Sequence, residues 1–251
     1  MSLFSMGLLL AAAFFAGVLN AIAGGGSFLT LPALALAGVP LVSANATGTA
    51  ALLPGYVFSA WAFRRDLSSP AGISLAGLAG WSLAGGAVGA ALLLVTSNEV
   101  FGKLIPWLLL AATALFAFGS RWVARLRAAG ARPASPWAAR ACLFAVAVYG
   151  GYFNGGLGIL LLAVLALLGE SDLNAMNGAK NLVSALLTAI AVVLYAADGA
   201  VVWELALPMM LAASAGGYAG AVLARRLPAA VVRGVVIVTG AVMAVIFFLR
   251  A

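Results

Sequence analysis

Charged residues are scarce in this sequence. Of its 251 residues, 13 are Lys or Arg and 6 are Asp or Glu, so charged side chains make up 8% of the chain. About a quarter is usual in a soluble domain. Hydrophobic residues make up 65%. A chain with so few charges cannot cover a water-facing surface, so the composition predicts an integral membrane protein embedded in the lipid bilayer.

Histidine is absent, and Cys142 is the single cysteine. These absences exclude a disulfide within the chain, a His/Cys metal site and acid–base chemistry that relies on histidine. Six carboxylates also make a poor basis for a metal site built from oxygen ligands alone. We therefore expect no metal, no cofactor and no catalytic residue, and we do not expect an enzyme.

The formal charge of +7 does not indicate a nucleic-acid partner. Ten of the thirteen Lys and Arg residues lie in short segments between apolar runs, which is typical of cytoplasmic loops. The apolar stretch at 7–23 has the small-residue end of a signal peptide, but the first 20 residues contain no Lys or Arg. Without a basic leader region, this stretch is interpreted as a membrane helix that the protein retains.

Six apolar runs are long enough to cross the hydrocarbon core, for which a helix needs about 20 residues. These runs cover 42–63, 71–95, 100–120, 173–197, 202–223 and 229–249. Two further apolar regions, 3–37 and 137–168, are interrupted by "GGG" at 24–26 and by "GGYFNGGLG" at 150–158. Glycine costs about 1 kcal/mol relative to alanine inside a helix. Each stretch therefore predicts a break, followed by a short helix of about three turns.

The two halves of the chain resemble each other. "AGGAVGAAL" at 84–92 matches "AGGYAGAVL" at 215–223 in six of nine positions at an offset of 131, and "ATGTAAL" at 46–52 aligns with "MNGAKNL" at 176–182 at an offset of 130. Asn20 and Asn154 each precede a break. The nearly constant offset predicts a duplication. The GGxxG patterns can pack within one chain or between two copies, which leaves a homodimer open.

Loop charges favour opposite orientations for the two repeats. If each broken region enters and leaves on one face, ten basic residues lie on one side of the membrane and two on the other; eight simple crossings give eight and four. The positive-inside rule prefers the first arrangement, with both termini outside. The predicted fold is an all-α integral membrane protein of two inverted repeats. Each is a glycine-broken hairpin plus three transmembrane helices, about eight spans in all. The predicted units are 1–120, a basic cytoplasmic linker at 121–136, and 137–251.

The glycine breaks are the predicted location of a binding site, because irregular backbone at membrane depth must line protein or a wet cavity. After Gly24, Gly25 and Gly26, a helix beginning at Ser27 would offer free amides and the positive end of its dipole to an anion. The alternative is a plain hairpin turn with tight packing. Polar residues near both breaks favour the site, and the candidate binding residues are Asn20, Gly24, Gly25, Gly26, Ser27, Asn45, Thr47, Thr49, Asn154, Asn177, Lys180 and Asn181.

Lys180 is the one charge that lies well inside a predicted span, and an ionisable residue at such a depth indicates function. Three roles are open from the sequence. Lys180 can bind an anionic substrate, pair with Glu170 or Asp172 before its helix, or bind backbone carbonyls at the break.

The sequence resembles the sulfite exporter TauE/SafE family of membrane transporters. The resemblance rests on "GVLNAIAGGGSFLTLPAL" at 17–34, "GVPLVSANATGTAAL" at 38–52, and the second copies "GGYFNGGLGILLLAVLALLG" at 150–169 and "NAMNGAKN" at 174–181. The second copy has "GGLG" where the family usually has a glycine triplet. The resemblance implies a bacterial inner-membrane transporter of small sulfur-containing anions, such as sulfite or organosulfonates.

The residues themselves also favour an anion, because amides, hydroxyls and one lysine are all donors. An inside-negative membrane drives anions outward by about 2.3 kcal/mol per charge per 100 mV, so the expected function is export by alternating access. The alternatives are an anion channel, or a carrier for another small anion such as a carboxylate.

Overall fold

The protein, described here from a computed structural model, folds into helices alone. The described residues are 3–65, 67, 73–128, 135–168, 170, 172–223 and 229–250, and they contain ten helices and no strand. In chain order the helices are α1 (Leu3–Ala23), α2 (Ser27–Leu36), α3 (Leu41–Ala62), α4 (Leu75–Leu94), α5 (Asn98–Ala128), α6 (Pro136–Tyr152), α7 (Leu157–Leu167), α8 (Leu173–Ala197), α9 (Trp203–Leu223) and α10 (Ala229–Arg250). The expectation of an all-α membrane protein is confirmed.

Three helices carry stretches that are long and apolar enough to cross a membrane, within the part of the chain that could be searched. These stretches are Phe4–Ala21, Leu75–Leu94 and Ala175–Ala197, and two shorter apolar helices cover Ser27–Leu36 and Gly240–Leu249. Large apolar side chains such as Leu211 and Phe4, each about four-fifths exposed, point outward from the bundle. Because lipid is the medium that suits such a surface, the chain is a multi-pass membrane protein.

Both predicted breaks interrupt their helices. α1 ends at Ala23 and α2 begins at Ser27, so the first break covers the glycine triplet. The second break is narrower than the glycine-rich stretch, because α6 continues through Gly150 and Gly151 to Tyr152 and only 153–156 separate it from α7. The short helices have 10 and 11 residues. α5 also runs further than its predicted span, through Ala128 and so into the segment interpreted as the linker.

Glycines let helices from the two halves of the sequence pack closely. α1 lies against α9, and α4 lies against α6. A Cβ atom added to Gly220 on α9 would lie 2.7 Å from the Cα atom of Val18 on α1. One added to Gly89 on α4 would lie 2.8 Å from the backbone nitrogen of Tyr152 on α6. Both GGxxG patterns therefore pack inside the chain, where small residues let helix backbones approach each other.

We predict that Gly220→Ala lowers the melting temperature of the detergent-purified protein. The added methyl group meets backbone rather than a flexible side chain, and overpacking of this kind costs about 1–3 kcal/mol. For a chain of this length, such a cost corresponds to a fall of about 2–10 °C. Gly80→Ala on α4 is the matched control, because nothing lies within 4 Å of its added Cβ. Equal melting temperatures for the two variants would contradict the close packing of α1 and α9.

Candidate functional site

The two helix breaks touch each other. Gly24 has a φ of +76°, and a Cβ atom at this position would lie 2.8 Å from the Cα atom of Gly158, in the first turn of α7. Only glycine adopts this backbone conformation easily. The first break therefore lies directly against the residues that follow the second, and a side chain at Gly24 would separate them.

Side chains hold the second break in place. Asn154 is buried and has a φ of 61°, unusual for a residue other than glycine. Its Oδ1 accepts a hydrogen bond of 3.0 Å from the Tyr56 hydroxyl, and its Nδ2 donates one of 3.3 Å to Thr188 Oγ1. Both hydrogen bonds are buried, so they offset part of the free-energy cost of the left-handed backbone conformation and fix the asparagine in the bundle interior.

Hydrogen bonds also satisfy the carbonyl groups around the second break. Asn45 Nδ2 donates to the Tyr152 carbonyl at 3.0 Å. The Tyr149 hydroxyl donates to the Gly155 carbonyl, and the Tyr195 hydroxyl donates to the Gly151 carbonyl. The end of α6 therefore has partners for carbonyl groups that the interruption would otherwise leave unpaired in a medium without water.

The first break lacks such partners. Within the described residues, the amides of Gly25, Gly26 and Ser27 have no backbone acceptor, and no side chain caps the start of α2. The Ser27 hydroxyl and the Asn20 amide oxygen are buried without a hydrogen-bond partner in the same part of the chain. Asn20 lies beside the Tyr56 hydroxyl, but the single proton of that hydroxyl is already donated to Asn154.

An anion can satisfy the donors of this group, which are the amides and the Ser27 hydroxyl; the Asn20 amide oxygen is an acceptor and needs a donor instead. Each buried polar group without a partner costs about 1–3 kcal/mol, and the amides at a helix start point along the positive end of the helix dipole. The glycines leave these amides uncovered by side chains. The Thr30 hydroxyl, one turn after Ser27, is a further buried group without a partner among the described residues. The first break is thus suited to hold a small anion.

Lys180 is buried, with 9% of its surface exposed. Its ammonium donates a hydrogen bond of 3.1 Å to Asn177 Oδ1. Among the described residues the ion pair found is Lys103–Glu99, on the exposed first turn of α5. Asp172 Oδ1 accepts a hydrogen bond from the Ala175 amide at the start of α8. Within the part of the chain that the structure describes, Lys180 therefore pairs neither with a carboxylate nor with a backbone carbonyl.

Lys180 lies on a polar stripe of α8 that also reaches the breaks. Residues three or four positions apart share a helix face, and the stripe consists of Asn177, Lys180, Asn181, Ser184, Thr188 and Tyr195. Thr188 contacts Asn154 at the second break. Lys180 precedes Thr188 by eight residues, which is about 12 Å along the helix. The lysine therefore lies on the same helix face as Thr188 but is not part of the cluster at the breaks.

The remaining predicted residues are buried but do not all contact the two breaks. Thr47 Oγ1 accepts a hydrogen bond of 3.0 Å from the Val202 amide, just before α9 begins. Thr49 and Asn181 are 2% and 7% exposed. Of the predicted set, the structure brings Asn20, Gly24 and Asn154 together. Thr47 instead supports the start of a neighbouring helix.

The sequence reasoning missed Tyr56, Thr188 and Ser184. Tyr56 is the residue that links the two asparagines, since Asn154 accepts its proton and Asn20 lies beside it. A usable signal was present, because a tyrosine hydroxyl inside an apolar helix must find a partner. The stripe on α8 was also visible as spacings of three and four residues.

Comparisons with known proteins identify the family to which the chain is similar. The family model described as sulfite exporter TauE/SafE matches residues 9–247. A protein of Haemophilus influenzae, described as a probable membrane transporter protein, is 25% identical over 250 residues, covering 95% of this chain and 92% of its own. No solved structure matches the chain.

We predict that Gly24→Ala destabilises the protein more than Gly38→Ala does. Both glycines have a positive φ, but an added Cβ meets Gly158 in the first case and nothing within 4 Å in the second. The shared backbone strain is about 1–2 kcal/mol, and the contact adds about 1–3 kcal/mol at Gly24 alone. Thermal unfolding in detergent measures the difference. Equal losses for the two variants would show that the breaks do not touch.

We also predict that Tyr56→Phe destabilises the protein by about 1–3 kcal/mol, because it leaves the buried Asn154 Oδ1 without its donor. Tyr218→Phe on α9 is the control, since Tyr218 is 78% exposed on the outer surface. Thermal unfolding of both variants under identical detergent conditions provides the comparison. A Tyr56→Phe variant as stable as Tyr218→Phe would contradict the role given to this hydrogen bond.

Proposed function

Because the chain belongs to the sulfite exporter TauE/SafE family, we propose that it is a secondary transporter that exports small sulfur-containing anions, such as sulfite or organosulfonates. The family and the similar Haemophilus influenzae protein support membrane transport. The substrate class and the direction are the proposal. No catalytic role is proposed for any residue.

The observation that carries the anionic substrate is the environment of Lys180. A buried ammonium without a carboxylate partner is costly in a low-dielectric interior. Within the described residues its hydrogen-bond partner is the neutral Asn177 side chain. A negatively charged ligand would supply the missing charge. The free amides and the Ser27 hydroxyl at the first break favour the same sign of charge.

Transport by alternating access is supported by the correspondence of the two halves. α3 begins at Leu41 and α8 at Leu173, an offset of 132 residues (173 − 41). This offset lies within two residues of the alignment of 46–52 with 176–182, in which Thr47 corresponds to Asn177 and Gly48 to Gly178. The contacts between α1 and α9 likewise correspond to those between α6 and α4. We propose that the halves are inverted repeats that move relative to each other around the touching breaks.

An inside-negative potential favours the exit of anions, which supports export across a bacterial inner membrane. The proposed substrate-binding residues are those that the sequence predicts. They form two separate groups, one at the first break with Asn20 and Ser27, and one around Lys180 on α8. A homodimer is compatible with this proposal but is not needed for it, because the site lies within one chain.

The function is tested by screening purified protein for thermal stabilisation by sulfite, sulfate, sulfoacetate and taurine, with small carboxylates as controls. A ligand that binds the folded state raises the melting temperature. Counterflow in proteoliposomes then distinguishes the mechanisms. We expect saturable counterflow of the stabilising anion, whereas ohmic single-channel currents would establish a channel.

We predict that Lys180→Met weakens anion binding by about 10- to 100-fold, since a hydrogen bond to a charged group contributes about 1.5–3 kcal/mol. Lys103→Met removes the same charge at an exposed position and should leave the affinity within about twofold. The measurement is the anion concentration that gives half of the maximal thermal shift. Equal affinities for the wild type and Lys180→Met would remove Lys180 from the binding site.

A further inference from the structure

Lys180 and Ser184 form a pair of donors on α8 without an acceptor of negative charge beside them. They are four residues apart on one helix face, so their Cβ atoms lie about 5–6 Å from each other. Ser184 is completely buried, and its hydroxyl has no hydrogen-bond partner among the described residues. The unpaired hydroxyl is an observation independent of the lysine, and a bound anion would give it an acceptor.

No carboxylate comes from the helices packed against α8, which are α3, α4, α6 and α7. α4 and α7 carry no charged or titratable residue along their described lengths. α3 carries Tyr56. α6 carries Arg140, Cys142, Tyr149 and Tyr152. On α8 itself, Tyr195 is the other titratable residue.

Each of these groups is occupied elsewhere or exposed. Tyr56, Tyr149 and Tyr195 donate hydrogen bonds at the second break. The Tyr152 hydroxyl lies beside Thr96, the Arg140 guanidinium lies over the Trp137 ring, and Cys142 is exposed. The described parts of these helices therefore provide hydrogen-bond acceptors for Lys180 but no carboxylate, and neither Glu170 nor Asp172, which precede α8, forms an ion pair with Lys180 among the described residues.

We propose that Lys180 and Ser184 bind the transported anion together with one proton, which the lysine amine carries, so that anion transport is coupled to proton movement. This inference rests on the proposed function and adds the coupling ion to it. When the anion leaves, the lysine has no counter-charge. A buried lysine releases its proton readily, whereas an arginine does not.

The step conserves atoms and charge. A neutral amine, a proton and a bound anion combine into an ammonium–anion pair, in which the amine nitrogen holds the proton and the Ser184 hydroxyl donates to the anion. Release on the other side of the membrane reverses the step. No bond other than the N–H bond forms or breaks, and no oxidant or reductant takes part.

Coupling changes the charge that crosses the membrane. A monovalent anion accompanied by one proton crosses without net charge, so the membrane potential does not drive it. A divalent anion crosses with one negative charge, which the inside-negative potential still drives outward. With proton coupling, the membrane potential therefore drives export of the doubly charged form alone, while an acid-outside pH gradient opposes the outward movement of the proton.

Proton uptake on binding is the primary test. Methanesulfonate and isethionate suit it, because their own acid groups stay ionised and any proton taken up belongs to the protein. Each anion is added to purified wild-type protein in weak buffer between about pH 6 and pH 9. We expect uptake that rises with pH towards about one proton per bound anion, since protons are taken up only by the fraction of lysine that is neutral before binding.

Lys180→Arg is the matched variant, because arginine keeps the positive charge but does not release its proton. Proton uptake is expressed per anion bound, so that a change in affinity does not affect the comparison, and we expect none for this variant. In proteoliposomes, a pH difference of one unit should accumulate methanesulfonate about tenfold with the wild type and not with Lys180→Arg. The variant should instead respond to an imposed potential.

The outcomes separate the two proposals. A wild type that binds and exchanges these anions without taking up protons would overturn the coupling and leave the transporter function intact. Proton uptake that persists in Lys180→Arg would also overturn it, because another group would then carry the proton. A wild type that binds none of the anions would overturn the proposed function, and the coupling with it.

Discussion

The organisation of this protein depends on how backbone groups are satisfied where a helix breaks inside the membrane. Water is not available there, so each carbonyl and amide released by a break needs a partner within the protein or on a ligand. The second break meets this demand with side chains, through Asn45, Tyr149 and Tyr195. The first break leaves the Ser27 hydroxyl and nearby amides without partners in the described structure. The two breaks therefore differ, because side chains satisfy the carbonyl groups of the second while donors at the first have no partner among the described residues.

Close packing between helices lets the two breaks touch each other. Gly220 lies against the backbone of Val18, and Gly89 lies against the end of α6. These contacts hold α1 and α6, which lead into the two breaks, against helices from the other half of the chain. Gly24 and Gly158 can then touch with no side chain between them. The glycines at the helix contacts therefore determine where the polar residues of the breaks lie.

Sequence patterns predict the elements with long-range apolar periodicity and strong breakers, and they were sufficient for the all-α membrane fold, both breaks and the burial of Lys180. They predict less about where a side chain's partner lies. Tyr56 is 98 residues from Asn154 in the chain, and no local pattern joins the two. The narrow second break also escaped prediction, because tertiary contacts keep Gly150 and Gly151 helical despite their low propensity. The predicted span of α5 was too short because it ended with the apolar run, whereas the helix continues through polar turns that contain arginines.

The distance between Lys180 and the breaks constrains any account of the site. Eight residues of α8, about 12 Å, separate the lysine from Thr188, which contacts the second break. A small anion cannot touch both at once. However, Ser184 lies between them on the same face, and Asn154 with Tyr56 continues the polar groups toward Asn20. Within the described residues, a series of polar side chains therefore joins the buried lysine to the first break through an otherwise apolar bundle.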